Sequence, residues 1–194
     1  MLSSVRRTFR DTAETVIAAV LIFVVLQATT QSFEIEGRSM VPTFLDHQRV
    51  LVNRFVYTRA SVSLLGDEGY LFHGPQRGDV IVFKPPTDDH TDFVKRVIGI
   101  PGDVVDIRPA GSGGRLDDSE VYVNGERTGY VDVHTHPRSY FDFPITVPDN
   151  EYFVLGDNRG ASNDSRNFGY VHANDIVGRA WVLYWPLSDF RLFR

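Results

Sequence analysis

Nineteen consecutive residues without a charge, Thr15 to Phe33, constrain this chain more than any other feature in it. Their centre, from Val16 to Leu26, is unbroken apolar sequence rich in branched side chains. Wound as a helix, such a run extends roughly 28 Å, close to the hydrocarbon thickness of a bilayer. Arg6, Arg7 and Arg10 stand just before it. By the positive-inside rule these arginines stay with the cytoplasm. The pattern therefore predicts a cytoplasmic N-terminus over 1–14, a transmembrane anchor over 15–33 and an extracytoplasmic domain over 34–194. That makes a single-pass protein of the cytoplasmic membrane. A cleavable signal peptide is the nearest rival, because LQATTQS offers small residues, but its apolar core is normally shorter. A buried helix of a soluble protein is the second.

Beyond Phe33 the pattern changes to strands. QRVLVNRF, GDVIVFK, DFVKRVIGI, GDVVDIR, EVYVNGE, EYFVLGD and DIVGRAWVLYW are short and rich in β-branched and aromatic residues. Each is bounded by turn formers. No long helical period follows, and three Gly-Asp steps (Gly78-Asp79, Gly102-Asp103, Gly156-Asp157) read as turn starts. The predicted fold is mostly β: an antiparallel main domain with a smaller inserted β subdomain over about 108–148, opened by the glycine-rich RPAGSGGRLDDSE. With 42% hydrophobic residues such a domain can bury a true core. A net charge of −5 argues against a nucleic-acid partner. The absence of cysteine removes disulfides, thiolate metal sites and cysteine nucleophiles together.

Two stretches carry candidate chemistry. In DFVKRVIGIPGD, strand alternation puts Phe93, Lys95 and Val97 on one face and Val94, Arg96 and Ile98 on the other. Most lysines snorkel to water. One held among apolar neighbours loses pKa and becomes a usable base. In GDNRGASNDSRNFGYV, short hydrogen-bonding side chains are dense enough either to be a solvated loop or to build a rigid polar cage. There Asp164 and Arg166 are placed to pair, and Ser162 to donate to a neighbour.

The blocks GRSMVPT, RGDVIVFK, DFVKRVIGIPGD, VYVNG and GDNRGASNDSRNFG, in that order behind an N-terminal span, resemble the type I signal peptidases, membrane-anchored serine peptidases with a Ser–Lys dyad. The resemblance covers nearly the whole chain. It implies an endopeptidase that removes N-terminal signal peptides from exported precursors through an acyl-enzyme, with no cofactor and no metal. By the same resemblance Ser39 is the nucleophile and Lys95 the general base. Ser162 orients that base, and Asp164 and Arg166 support the site. Phe33, Ile35, Phe93 and Val94 line the substrate pockets. Implied partners are precursors with signal peptides, the lipid bilayer and the secretion machinery.

One departure concerns the oxyanion. Some members carry a Ser or Thr hydroxyl two residues before the nucleophile, where this chain has Gly37. The Ser39 backbone N–H is then the firm donor, with a second donor to be supplied by water or another backbone N–H. An extended substrate points alternate side chains the same way, so residues one and three before the cut enter together. Two shallow pockets there select small side chains, in keeping with the A-x-A ends of signal peptides.

Other readings are weaker. His134 and His136 share a strand face, but zinc sites normally take three or four protein ligands and no third is evident. A soluble Ser–Lys autoprotease of the SOS-repressor type would open with a DNA-binding domain instead of an apolar span. A membrane-tethered β module that binds secreted chains without cutting them would tolerate loss of Ser39 or Lys95. The apolar SVSLLGDEGYLF and the WPLSDFRLF segment are each open to two readings, contact with the membrane or cover for the core.

Overall fold

The computed structural model describes residues 2–61, 68–87, 91–109, 119–129 and 142–193. Helix α1 runs Leu2–Thr29, and its Arg10–Thr29 part is long and apolar enough to cross a membrane. Side chains from Val16 to Leu26 are exposed along it. The helix stops four residues short of the end of the charge-free run. Thr29 and Thr30 explain the stop: their hydroxyls donate to the carbonyls of Val25 and Leu26, both at 2.7 Å, and so satisfy acceptors of the last turn. The helix itself thus ends at Thr29, short of Phe33. An uncharged run cannot distinguish a polar strand such as TQSF from the end of a helix.

Strand β1 (Thr30–Glu34) follows without a linker. The others are β2 (Arg49–Asn53), β3 (Arg59–Ser61), β4 (Glu68–Tyr70), β5 (Val80–Phe83), β6 (Phe93–Gly99), β7 (Val104–Pro109), β8 (Ser119–Val123), β9 (Glu126–Arg127), β10 (Ile145–Thr146), β11 (Glu151–Leu155), β12 (Val171–His172), β13 (Ile176–Trp185) and β14 (Arg191–Leu192). A single-turn helix α2 (Ser165–Phe168) lies after β11. The main sheet has the order β1-β2-β13-β5-β6-β11-β12, with β14 also on β13. Every pairing in it is antiparallel, as the alternating strands predict. β3 and β4 form a separate hairpin, and β10-β7-β8-β9 form a small second sheet.

That second sheet starts at Val104, a few residues before the predicted insert. Its Val105, Val121 and Val123 pack with Ile98, Phe153 and Leu155 of the main sheet, so the two sheets share one apolar layer. Residues 110–118 and 130–141, with His134 and His136, lie outside the described residues. So do residues 62–67 of the apolar loop.

The Gly-Asp steps divide into two kinds. Gly78 and Gly102 have φ of +92° and +85°, the left-handed region that a turn before a strand uses. Gly156 is glycine for another reason. A Cβ on it would stand 2.2 Å from Ser162 Oγ and 2.5 Å from the Ser39 carbonyl oxygen. The end of β11 is packed against the Ser39 turn, and only a bare backbone fits.

Candidate active site

Ser39 sits in a compact turn between β1 and β2. Val41 N–H donates to the Arg38 carbonyl at 3.2 Å and Phe44 N–H to that of Met40 at 2.9 Å. Met40 and Phe44 are buried in the layer that also holds Ile35, Val50 and Val52. These two apolar anchors fix the turn and leave Ser39 on its outer side. Before it, Gly37 adopts φ +83°, and its N–H donates to Asp46 Oδ1 at 2.8 Å. A side chain at residue 37 would meet no neighbour, so the left-handed backbone, not crowding, is what favours glycine there. The Gly37 N–H is therefore engaged, whereas the Ser39 N–H makes no hydrogen bond among the described residues.

Lys95 lies on β6 directly opposite Ile81 of β5. It is 4% exposed, and its Nζ lies 5.0 Å from the centre of the Phe93 ring. Nζ donates to Ser39 Oγ at 3.0 Å and to the Val94 carbonyl at 2.9 Å. It has no carboxylate within ion-pair distance among the described residues. Burial pushes the Lys95 ammonium down to about 8; the more distant carboxylates of Asp164 and Asp157 pull it up and only partly compensate.

The polar loop after β11 is a cage in fact. Asp164 is fully buried and takes Arg166 in a two-pronged pair, Nε to Oδ1 and Nη2 to Oδ2, each 2.8 Å. Asp164 Oδ2 also accepts from the Gly156 N–H at 3.0 Å, and Asp164 caps α2 by accepting from the Arg166 N–H. The same loop reaches the nucleophile turn, where the Asn158 N–H donates to the Ser39 carbonyl at 2.9 Å. Ser162 is near, beside Gly156, but its buried Oγ has no hydrogen-bond partner. The Ser162–Lys95 bond that the resemblance implies is absent from this arrangement.

Four residues of the site escaped sequence reasoning. Arg96 donates to both oxygens of Asp157, at 2.7 and 2.6 Å, and to Thr43 Oγ1 at 3.1 Å. Asp157 is fully buried. Arg96, Asp157 and Thr43 thus tie β6, the polar loop and the Ser39 turn into one block, and Asn158 adds a backbone bond. The usable signal was Arg96 itself, a charged residue that strand alternation turns toward the apolar Val94 and Ile98.

An open cleft of about 650 Å³ lies over this block, lined by Phe33, Ile35, Phe93 and Val94 with Ser39 and Lys95. Gly37 and Asn163 also border it. No cluster of metal-binding side chains occurs among the described residues.

Among the described residues, a buried amine holds this hydroxyl beside the cleft and no histidine bonds to either group, an arrangement compatible with Ser–Lys peptidase chemistry. Comparison with known proteins agrees. Residues 9–185 match the family described as signal peptidase, peptidase S26. A probable signal peptidase I-2 of Synechocystis is 32% identical over 189 residues, 93% of this chain and 75% of that protein. Signal peptidase IB of Staphylococcus aureus is 33% identical over 193 residues, 90% of this chain and 88% of that protein. A crystal structure of a signal peptidase I from Enterococcus faecalis aligns at 35% identity with a TM-score of 0.40, covering 54% of this chain and 95% of that one. The chain belongs to the signal peptidase family, and it is a serine endopeptidase.

Proposed function

We propose that this chain acts as a signal peptidase I, cutting signal peptides from secreted precursors with Ser39 as nucleophile and Lys95 as general base. The observation that carries the assignment is the 3.0 Å bond between Lys95 Nζ and Ser39 Oγ at a lysine with no carboxylate beside it. A serine hydroxyl becomes a competent nucleophile only when a base takes its proton. With its pKa held at about 8, Lys95 is neutral in roughly one molecule in ten at pH 7. Neutral Lys95 takes the Ser39 proton as Oγ attacks the scissile carbonyl. The proton then passes to the leaving amine. Water, deprotonated by the same lysine, hydrolyses the ester. The Ser39 N–H faces the developing oxyanion. Because the Gly37 N–H is held by Asp46, the second oxyanion donor is water or another backbone N–H.

The precursor lies extended in the cleft beside Phe33, Ile35, Phe93 and Val94. Its residues one and three before the cut enter the apolar floor, which cannot enlarge without repacking. Ser162 orients Lys95 once substrate has displaced solvent. The uncharged run from Thr15, helical as far as Thr29, anchors the protein, with residues 1–14 cytoplasmic and the β domain outside. Exposed Leu187 and Phe190 suit contact with the bilayer. Precursors arrive from the secretion machinery.

The test uses a precursor with alanine one and three residues before the cut. Purified full-length protein is expected to cleave it, and Ser39→Ala to leave it intact. A phenylalanine at the first of these positions should block cutting. kcat/KM should rise about fiftyfold from pH 6 to pH 8, following the neutral fraction of Lys95. Undiminished cleavage by Ser39→Ala would discard the nucleophile assignment. For orientation, protease added outside spheroplasts should digest the β domain; protection of that domain reverses the topology.

A further inference from the structure

The segment after β13 reaches back to the turn that carries Ser39. Residues 186–193 lie beyond the part of the chain that matches the family model, which ends at residue 185. Beyond its pairing with β13, three hydrogen bonds join the segment to the molecule. Asp189 Oδ2 accepts from Gln48 Nε2 at 2.7 Å, while Gln48 Oε1 accepts from the Leu45 N–H at 2.9 Å. An Arg191 Nη2 donates to the Thr43 carbonyl. The Phe193 N–H donates to the Trp181 carbonyl at 2.8 Å. In addition, the Phe193 ring lies 4.9 Å from that of fully buried Phe44, and the Arg191 guanidinium stacks over the other ring of the pair, 4.8 Å from the Phe193 centre.

Three of these contacts converge on Thr43, Phe44 and Leu45, the far limb of the Ser39 turn. Thr43 is held from two sides. Its carbonyl takes Arg191, and its hydroxyl takes Arg96, the residue next to Lys95. The near limb is held by the Asn158 N–H on the Ser39 carbonyl. A turn pinned at only one limb can swing, and a hydroxyl displaced by about 1 Å from its base costs up to about a hundredfold in rate.

We propose that Asp189, Arg191 and Phe193 form a clasp of positioning residues that sets the Ser39 hydroxyl against Lys95. None of the three clasp residues lines the cleft or bonds to Ser39 or Lys95. The clasp therefore acts on turnover and leaves substrate binding alone. The proposal rests on the Ser39–Lys95 assignment, and Ser39→Ala serves as its separate control: activity in that variant removes the assignment whatever the clasp variants do.

The experiment measures kcat and KM for the full-length protein in detergent, with circular dichroism and a thermal melt on each variant. Arg191→Ala should lower kcat about ten- to a hundredfold with KM changed less than twofold. Arg191→Lys should recover part of the loss, because an ammonium still donates to the Thr43 carbonyl. Phe193→Leu, which keeps apolar cover on Phe44 but loses the stacked ring, should lower kcat about threefold to tenfold. A merely structural role predicts instead that kcat per folded molecule stays at the wild-type value and that only the melt shifts. That outcome overturns the clasp, as does a loss appearing mainly in KM. Should Arg191→Ala fail to fold, Phe193→Leu and Asp189→Ala decide: unchanged kcat in both overturns the proposal.

Discussion

Lys95 and Arg96 are neighbours on one strand, yet the protein buries their charges by opposite means. Arg96 meets a matched carboxylate, Asp157, and two further oxygen acceptors. Beneath the same loop Arg166 is matched by Asp164 in the same two-pronged way. Lys95 is more buried than Arg96, yet it hydrogen-bonds only to a hydroxyl and one carbonyl. Guanidinium stays charged at any usable pH, so burying it requires a fixed counter-charge and yields rigidity. Ammonium can shed its proton, so withholding the counter-charge yields reactivity. The ion pairs form the frame, and the solitary amine is what the frame holds.

The contrast can be broken most forcefully by exchanging one cation for the other. Lys95→Arg keeps the charge and loses the titration, and cleavage should fall more than 10⁴-fold, the scale seen when a proton-handling group is removed. A precursor assay beside a folded-state check reads this directly. If the arginine variant keeps most of the activity, Lys95 works as a charge alone and the general-base role fails.

Next in size is the frame. Asp164→Asn preserves shape but leaves the Arg166 guanidinium buried without its counter-charge. The protein should lose about 3–5 kcal/mol in urea unfolding. A loss below about 1 kcal/mol would mean that water or the Arg159 carbonyl satisfies Arg166 without the aspartate.

The solitary lysine should behave in the reverse sense. Its folded pKa, about 8, lies below its ordinary value of 10.5. The unfolded chain then binds the extra proton across that interval, so stability rises with pH from about 8 to 10.5 and is lowest below 8. Lys95→Met should therefore be more stable than wild type at pH 7 by roughly 3 kcal/mol, and the gap should close by about pH 10.5. A gap independent of pH would show that packing, not the ammonium, sets it.

The smallest effect belongs to Ser162. If its hydroxyl supplies Lys95 with one hydrogen bond during turnover, Ser162→Ala should lower kcat/KM about fivefold, the worth of a single neutral bond. No change at all would reduce Ser162 to a packing neighbour of Gly156.

Strand alternation made the Lys95 face readable, and the uncharged run made α1 readable, because both depend on local periodicity alone. The helix end at Thr29 was hidden, since hydroxyl back-bonding leaves no mark in charge or hydropathy. Asp164 and Arg166 stand two residues apart and could be paired on sight. Arg96 and Asp157 are separated by 61 residues, and Thr43 and Arg191 by 148, so only the folded sheet brings them together. In the WPLSDFRLF segment, open to two readings, Phe193 packs on Phe44 as cover for the core, while Leu187 and Phe190 are exposed. Ser162 was assigned a bond that the folded chain does not make.

The direct passage from α1 into β1 turns the anchor into a ruler. Thr29 ends the helix and Thr30 begins the strand, and the Arg54 N–H clips the junction by donating to the Thr29 carbonyl at 2.9 Å. The five residues of β1 put at most about 16 Å of extended chain between the helix end and the cleft. An extended substrate strand needs about five residues to cover the same distance. If the proposed topology holds, the cut would fall at a set distance from the membrane surface, and substrates would be sorted by length as well as by side-chain size.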